Sequence, residues 1–245
     1  MLNHIKADLY RITKKKSLYI MMALFTIGFS FVSFNFRTTP DVFPEFIGLI
    51  TQMSPILIGI FIFTIIYTDD LKSHTVQTAI GFGIKRTEIV ITKVIEATIL
   101  LLFFYLYVLV HIFAVNLIFS FNMNSDGFTM IFRYALTYFI QTIAFFAISS
   151  VIIFSMQKAT LSTIFFVLLG SGFVDQILGL VFSFNLIDKL LGFIKPYFIG
   201  NITNDFLMAL NGIGDLLVPG LTFAVYIIGS IVIASFLFNK VELEF

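Results

Sequence analysis

Residues Tyr67–Lys93, YTDDLKSHTVQTAIGFGIKRTEIVITK, form the longest polar run in a chain that is otherwise mostly apolar. Of its 245 residues, 59% are hydrophobic and 12% are charged, and the mean hydropathy is +1.02. A soluble domain carries roughly 25% charged residues, so the composition excludes that class and predicts an all-α polytopic membrane protein. The polar run is then the segment expected to meet something soluble.

Outward from this run the chain divides into apolar segments of about 20 residues, each matched to the hydrocarbon thickness of a bilayer. Upstream, Leu18–Phe36 reads as the first span and Phe46–Tyr67 as the second. They are joined by a short loop in which Pro40 and Pro44 stop helix continuation and Asp41 and Glu45 oppose Arg37. Pro55 and Gly59 predict a kink inside the second span, tolerated because neighbouring helices satisfy the freed backbone groups. Downstream come Val94–Phe121, Met130–Phe154, Leu161–Phe184 and Val218–Phe238. Six spans result, and residues 1–245 form a single transmembrane domain.

Three further segments complete the layout. Residues 1–16 place Leu2, Ile5, Leu9 and Ile12 at helical spacing, with Lys6, Arg11, Lys14, Lys15 and Lys16 elsewhere, which predicts an amphipathic helix on a membrane face. Its basic lead and long apolar follow-on, with no small-residue cleavage pattern, read as a retained span rather than a signal peptide. Residues 185–217 are apolar in patches, but Asp188, Lys189 and Lys195 would each cost roughly 2.5–3.5 kcal/mol at the membrane centre. With Gly192, Pro196, Gly200, Gly212 and Gly214 breaking the segment, short helices at the outer leaflet are expected. The 33 phenylalanines and absence of tryptophan leave tyrosines such as Tyr19, Tyr67, Tyr134 and Tyr197 to build the interface belt.

Charge sets the expected orientation. With six spans, the N-terminus, the 68–93 loop, Lys158 and Lys240 collect eleven of the 15 lysines and arginines. Only Arg37, Arg133, Lys189 and Lys195 fall on the other side. Both termini and the 68–93 loop are therefore expected in the cytoplasm of a multi-pass cell-membrane protein. The net charge of +1 gives no global field for nucleic acid, and zero cysteines exclude disulfides, thiol catalysis and thiolate metal sites.

Inside the loop, Val76, Ala79 and Ile80 share a helical face, Gly81 and Gly83 supply a break, and Thr87-Glu88 can cap the helix that runs into the third span. Asp69, Asp70 and Lys72 would hold the first of these helices out of the membrane as a plug for a partner. A plain solvated loop is the competing description.

Acidic residues leaving the second span, then Thr75-Val76, a glycine, the basic pair Lys85-Arg86 and hydrophobics up to Lys93 resemble the permeases of type-2 ABC exporters. The likeness is to the small permeases of bacteriocin, bacitracin and other peptide self-protection and export systems. Length, six spans, a basic start, an interrupted segment before the last span and a short charged tail after Phe238 agree with it. The chain departs at Ser73-His74, where that family more often has a glycine before the threonine. The resemblance implies that 68–93 is a coupling helix on a cytosolic ABC ATPase subunit, with Asp70, Thr75, Val76, Lys85 and Arg86 in that role. It also implies a second permease copy or a related permease, and ATP and Mg bound by the partner ATPase. Consistently, no G-x-x-x-x-G-K-[ST] loop occurs in the chain, so energy is expected from another subunit.

Ionisable residues in apolar segments are functional candidates by default. Glu96 is expected to pair with Lys93 three residues earlier, or to act as a hinge for loop motion. His111, mid-span, either bonds a neighbouring helix or serves protons or substrate. Asp175, after Gly170-Ser171-Gly172, either lines an external vestibule or marks a helix end. His4, His74 and His111 are not expected to converge, so no metal site is predicted. The function expected is an exporter permease, not itself an enzyme, moving an amphipathic peptide or lipid-like antibiotic. The alternatives are an intramembrane serine hydrolase using Ser171 and His111, or a non-transporting anchor or sensor.

Overall fold

A computed structural model describes residues 2–38, 42–68, 70, 75–121 and 123–241. The expectations placed on Pro40, Asp41, Asp69, Lys72, Ser73, His74 and the tail beyond 241 lie outside these residues. The described chain is helical and contains no strand. In order it forms α1 (Leu2–Thr13), α2 (Lys16–Asn35), α3 (Phe43–Gln52), α4 (Pro55–Thr68, partly π-helical) and α5 (Thr75–Gly81). It continues with α6 (Arg86–Phe119), α7 (Ser125–Met156), α8 (Ala159–Gly170), α9 (Phe173–Val181), α10 (Asn185–Leu191), α11 (Ile199–Leu210) and α12 (Leu217–Lys240).

Four helices, α2, α6, α7 and α12, are long and apolar enough to cross a membrane, and the number rises to six if the bent pairs α3–α4 and α8–α9 each count as one span. The pairs bend by 48° and 66°. The first bend follows Pro55, whose ring removes an intrahelical hydrogen bond. The second was not anticipated, since Leu161–Phe184 reads as one span. Gly172 at φ +71 adopts a conformation that ordinary side chains resist, so the chain turns after Gly170. At 12 residues, or about 18 Å at helical rise, α8 alone falls short of a bilayer core of about 30 Å.

The central helix is α7. Of its apolar window 61% is buried, against 22% for α2 and for α12, and it packs against α3, α6, α8, α11 and α12. Its inner faces carry Ala144, Phe145, Phe146 and Ala147, two rings flanked by small residues. Phe146 and Phe63 both pack on Phe166 of α8, with ring centroids 5.1 Å and 5.0 Å away. The outer helices expose matching stripes: Ile20, Leu24, Ile27 and Phe31 on α2, and Val225, Ile228, Val232 and Phe236 on α12. Spaced by three and four, these stripes cover the bundle with the apolar face that a bilayer requires.

The helix of the expected third span is unbroken over 34 residues and starts at Arg86, ahead of Val94. Its length of about 51 Å exceeds a hydrocarbon core of about 30 Å. The apolar face of α1 also turns inward, with Ile5 and Ile12 buried and Ile12 in the core beside Leu18 and Ile66. Its exposed positions include Lys6 and Tyr10, the latter at 67%, and Lys14 is exposed just past its end. The 185–217 segment is broken as expected, into α10, a 3-10 turn over Gly192–Tyr197, and α11.

Candidate functional site

At the end of the bundle carrying α1, five charged side chains from three parts of the chain converge. Asp8 and Arg11, three residues apart on α1, share one face. Asp70 follows α4, while Lys93 and Glu96 lie one turn apart on α6. The Lys93 ammonium is 2.6 Å from Asp8 Oδ2, 2.5 Å from Asp70 Oδ2 and 2.8 Å from Glu96 Oε2. The Arg11 guanidinium donates to Asp70 Oδ1 and reaches Thr75 Oγ1 at 3.5 Å. Lys93, Asp70 and Glu96 are 3%, 1% and 0% exposed. Three carboxylates therefore share two cations, the buried Lys93 and Arg11, whose side chain is 35% exposed, an arrangement held only when every partner is in place.

The electrostatics of α1 follow from this contact. Burial pushes the Asp8 carboxyl up, but the Lys93 ammonium and Arg11 outweigh it and hold Asp8 below the usual carboxylate range. Burial disfavours the Arg11 charge, yet Asp70 and Asp8 beside it raise its affinity for the proton. His4 stands at the edge, its Nδ1 3.6 Å from Asp8 Oδ2 and 4.0 Å from Glu96 Oε1. Donor atoms of His4, Asp8 and Glu96 all lie within 4.8 Å of one another, a grouping able to hold a metal ion. Lys93 already serves as the cation for both carboxylates.

The expected coupling residues separate into two sets. Asp70 and Val76 face the bundle, Val76 being 5% exposed in the main core. The face formed by Val76 and Ala79 packs inward instead of standing out as a plug, since burying it against the bundle removes apolar surface from water. Thr75 meets Arg11. Arg86 bends back to the end of α12, donating to the carbonyls of Phe238 at 2.5 Å and Val241 at 2.6 Å. Its guanidinium also lies over the Phe238 ring at 5.3 Å, so it satisfies carbonyls left over at a helix end. Lys85 stays exposed. Between Gly81 and Gly83, Phe82 is 84% exposed at the tip of the α5–α6 turn. Gly83 at φ +85 permits that turn.

Of the apolar-segment candidates, Glu96 forms its expected pair with Lys93 within the larger cluster. His111 bridges α6 to α2 through Nε2 and Ser30 Oγ, 3.2 Å apart, with the Phe29 ring 5.4 Å away. Ser171 Oγ donates to the Leu168 carbonyl at 3.1 Å. Ser171 and His111 thus bond different partners on different helices.

Asp175 opens onto a cleft in the opposite half of the bundle, between the α3–α4 break, α7, the α8–α9 break and α11. This space of about 360 Å³ is lined by Gln52, Tyr138, Gln141, Ser171, Thr203 and Asn204 among others. Asp175 Oδ1 accepts a hydrogen bond from Gly200 N at 3.3 Å.

Sequence reasoning missed Asp8, Arg11 and Phe82. The signal for Asp8 was present, because positions 5, 8 and 12 follow the buried stripe of α1 and a carboxylate there demands a partner. Nothing local marks Phe82 as exposed in a chain with 33 phenylalanines. No protein-family model matches the chain, and no curated protein sequence matches it either.

Proposed function

We propose that the chain is the permease subunit of an ABC exporter, driven by a separate cytosolic ATPase that binds ATP and Mg. It acts with a second permease copy or a related permease and moves an amphipathic peptide or lipid-like antibiotic. It resides in the cell membrane with both termini and the α5–α6 turn in the cytoplasm. The observation that carries this reading is the exposed tip of that turn. Phe82, 84% exposed, and the neighbouring exposed Lys85 stand at the base of a 34-residue helix. An aromatic anchor beside a cation suits a socket on a soluble subunit, and the unbroken α6 is a rigid lever from that socket into the bundle. Asp70, Val76 and Arg86 then serve the coupling indirectly, by fixing the turn to α1, the core and α12.

The test is co-purification of the detergent-solubilised chain with co-expressed candidate ABC ATPase subunits, with stoichiometry and ATP turnover as readouts. The double variant Phe82→Ala/Lys85→Glu is expected to release the ATPase while leaving thermal unfolding unchanged. Retained binding and full ATP turnover in that variant would reject the assignment.

A further inference from the structure

We infer that Asp175 is the anchor of a subsite for an amphipathic ammonium, a primary amine carried on an apolar body. Three adjoining cavities share this carboxylate. The first is the polar cleft of about 360 Å³, inside the range of about 300–1,000 Å³ typical of small-ligand sites. The second, of about 170 Å³, is lined by Phe145, Ile148, Val174, Leu178, Phe198 and others. The third, of about 100 Å³, lies between α9 and α11 and has Lys195 in its lining. Asp175 is thus the junction between an amide- and hydroxyl-rich chamber and an aromatic-lined one. A ligand spanning both must be polar at one end and apolar at the other.

Charge then selects which polar end. Among the described residues lining the two larger cavities, Asp175 is the one ionisable carboxylate and no lysine or arginine accompanies it. Lys195, which lines the third cavity, is 4.0 Å from Asp188. Among the described residues, Gly200 N donates to Asp175 Oδ1 at 3.3 Å. Gly200 is what seats the group, since a Cβ there would come within 2.8 Å of the carboxylate carbon and of Oδ2. A carboxylate held in a polar chamber favours a cation over a neutral or anionic head. The carbonyl and hydroxyl acceptors of Gln52, Gln141, Ser171 and Thr203 suit the remaining N–H donors of an ammonium. The subsite rests on the exporter reading only in calling its ligand cargo.

The absence of cysteine permits a direct test. Asn204, exposed on the cleft wall, is replaced as Asn204→Cys in the full chain, reconstituted in phosphatidylglycerol nanodiscs without any ATPase. Its modification by a trimethylammonium methanethiosulfonate is expected to exceed that by a sulfonate analogue at least about tenfold, after correction for the rates with a free thiol. Adding Asp175→Asn, which keeps an acceptor for Gly200 N, should bring the ratio to that of the free thiol, and Asp175→Glu should restore the preference. Hexylamine should slow modification where hexanol does not. Protection on adding phosphatidylethanolamine would identify the ammonium as a lipid headgroup. Its absence, with hexylamine still protective, would identify a non-lipid amine. No charge preference, a preference indifferent to Asp175→Asn, or equal protection by hexanol would overturn the inference. Because no ATPase is present, failure here and failure of co-purification are separate results.

Discussion

Lys93 is the cation on which the α1 end depends. Its ammonium lies within 2.8 Å of three carboxylates from α1, the segment after α4, and α6. Replacing it as Lys93→Met would leave buried negative charges without a partner, and removing one member of a buried pair costs about 3–5 kcal/mol. The expected result is a lowered unfolding midpoint together with faster tryptic cleavage at Lys14–Lys16 as α1 detaches, measured by limited proteolysis. Unchanged cleavage would remove Lys93 from that role. The Lys93–Glu96 contact was legible from their spacing of three on one helix. That Asp8 and Asp70 pair with this lysine was not legible, because it lies 85 and 23 positions away from them and no local pattern links them.

At the scale of elements, the bent pairs decide where the bundle is close-packed and where it opens. Gly59, in α4, admits the Phe166 ring of α8, since an added Cβ would lie 2.7 Å from Phe166 Cζ and 3.1 Å from Thr142 Cγ2. Phe166 is 0% exposed and has nowhere to retreat. Gly59→Ala should therefore destabilise by about 1–3 kcal/mol in thermal or denaturant unfolding. Gly28→Ala on α2, where a Cβ meets nothing within 4 Å, should be neutral or slightly stabilising through its helix preference. The break at Met53–Ser54 is braced by side chains. Ser54 Oγ lies 2.5 Å from Tyr105 OH, which in turn is 3.2 Å from Thr142 Oγ1. Tyr105→Phe should lower stability by about 1–3 kcal/mol by leaving Ser54 and Thr142 with fewer partners. The kink was readable from Pro55. The polar brace across it was not, because it joins three elements.

Across the whole molecule, Arg86 ties the first residue of α6 to the last turn of α12, joining the turn that follows α5 to the end of the described chain. Arg86→Gln should accelerate amide hydrogen exchange around Phe238–Val241 by about tenfold, equivalent to about 1.4 kcal/mol, with little change at the far end of α12. Equal acceleration along the whole helix would point to global destabilisation instead. The all-helical class, the apolar spans, the Pro55 kink and the broken 185–217 segment follow from the sequence itself. Hydrocarbon thickness, proline geometry and the cost of charge in lipid act on short windows of residues. Tertiary structure alone decided that the apolar faces of α1 and α5 pack on their own bundle, and that Asp70 joins an internal cluster. It also decided that Phe82 rather than Val76 is exposed in Tyr67–Lys93. Each of these depends on which distant surface competes with water or lipid for the same side chain, and that surface exists only once the helices have assembled.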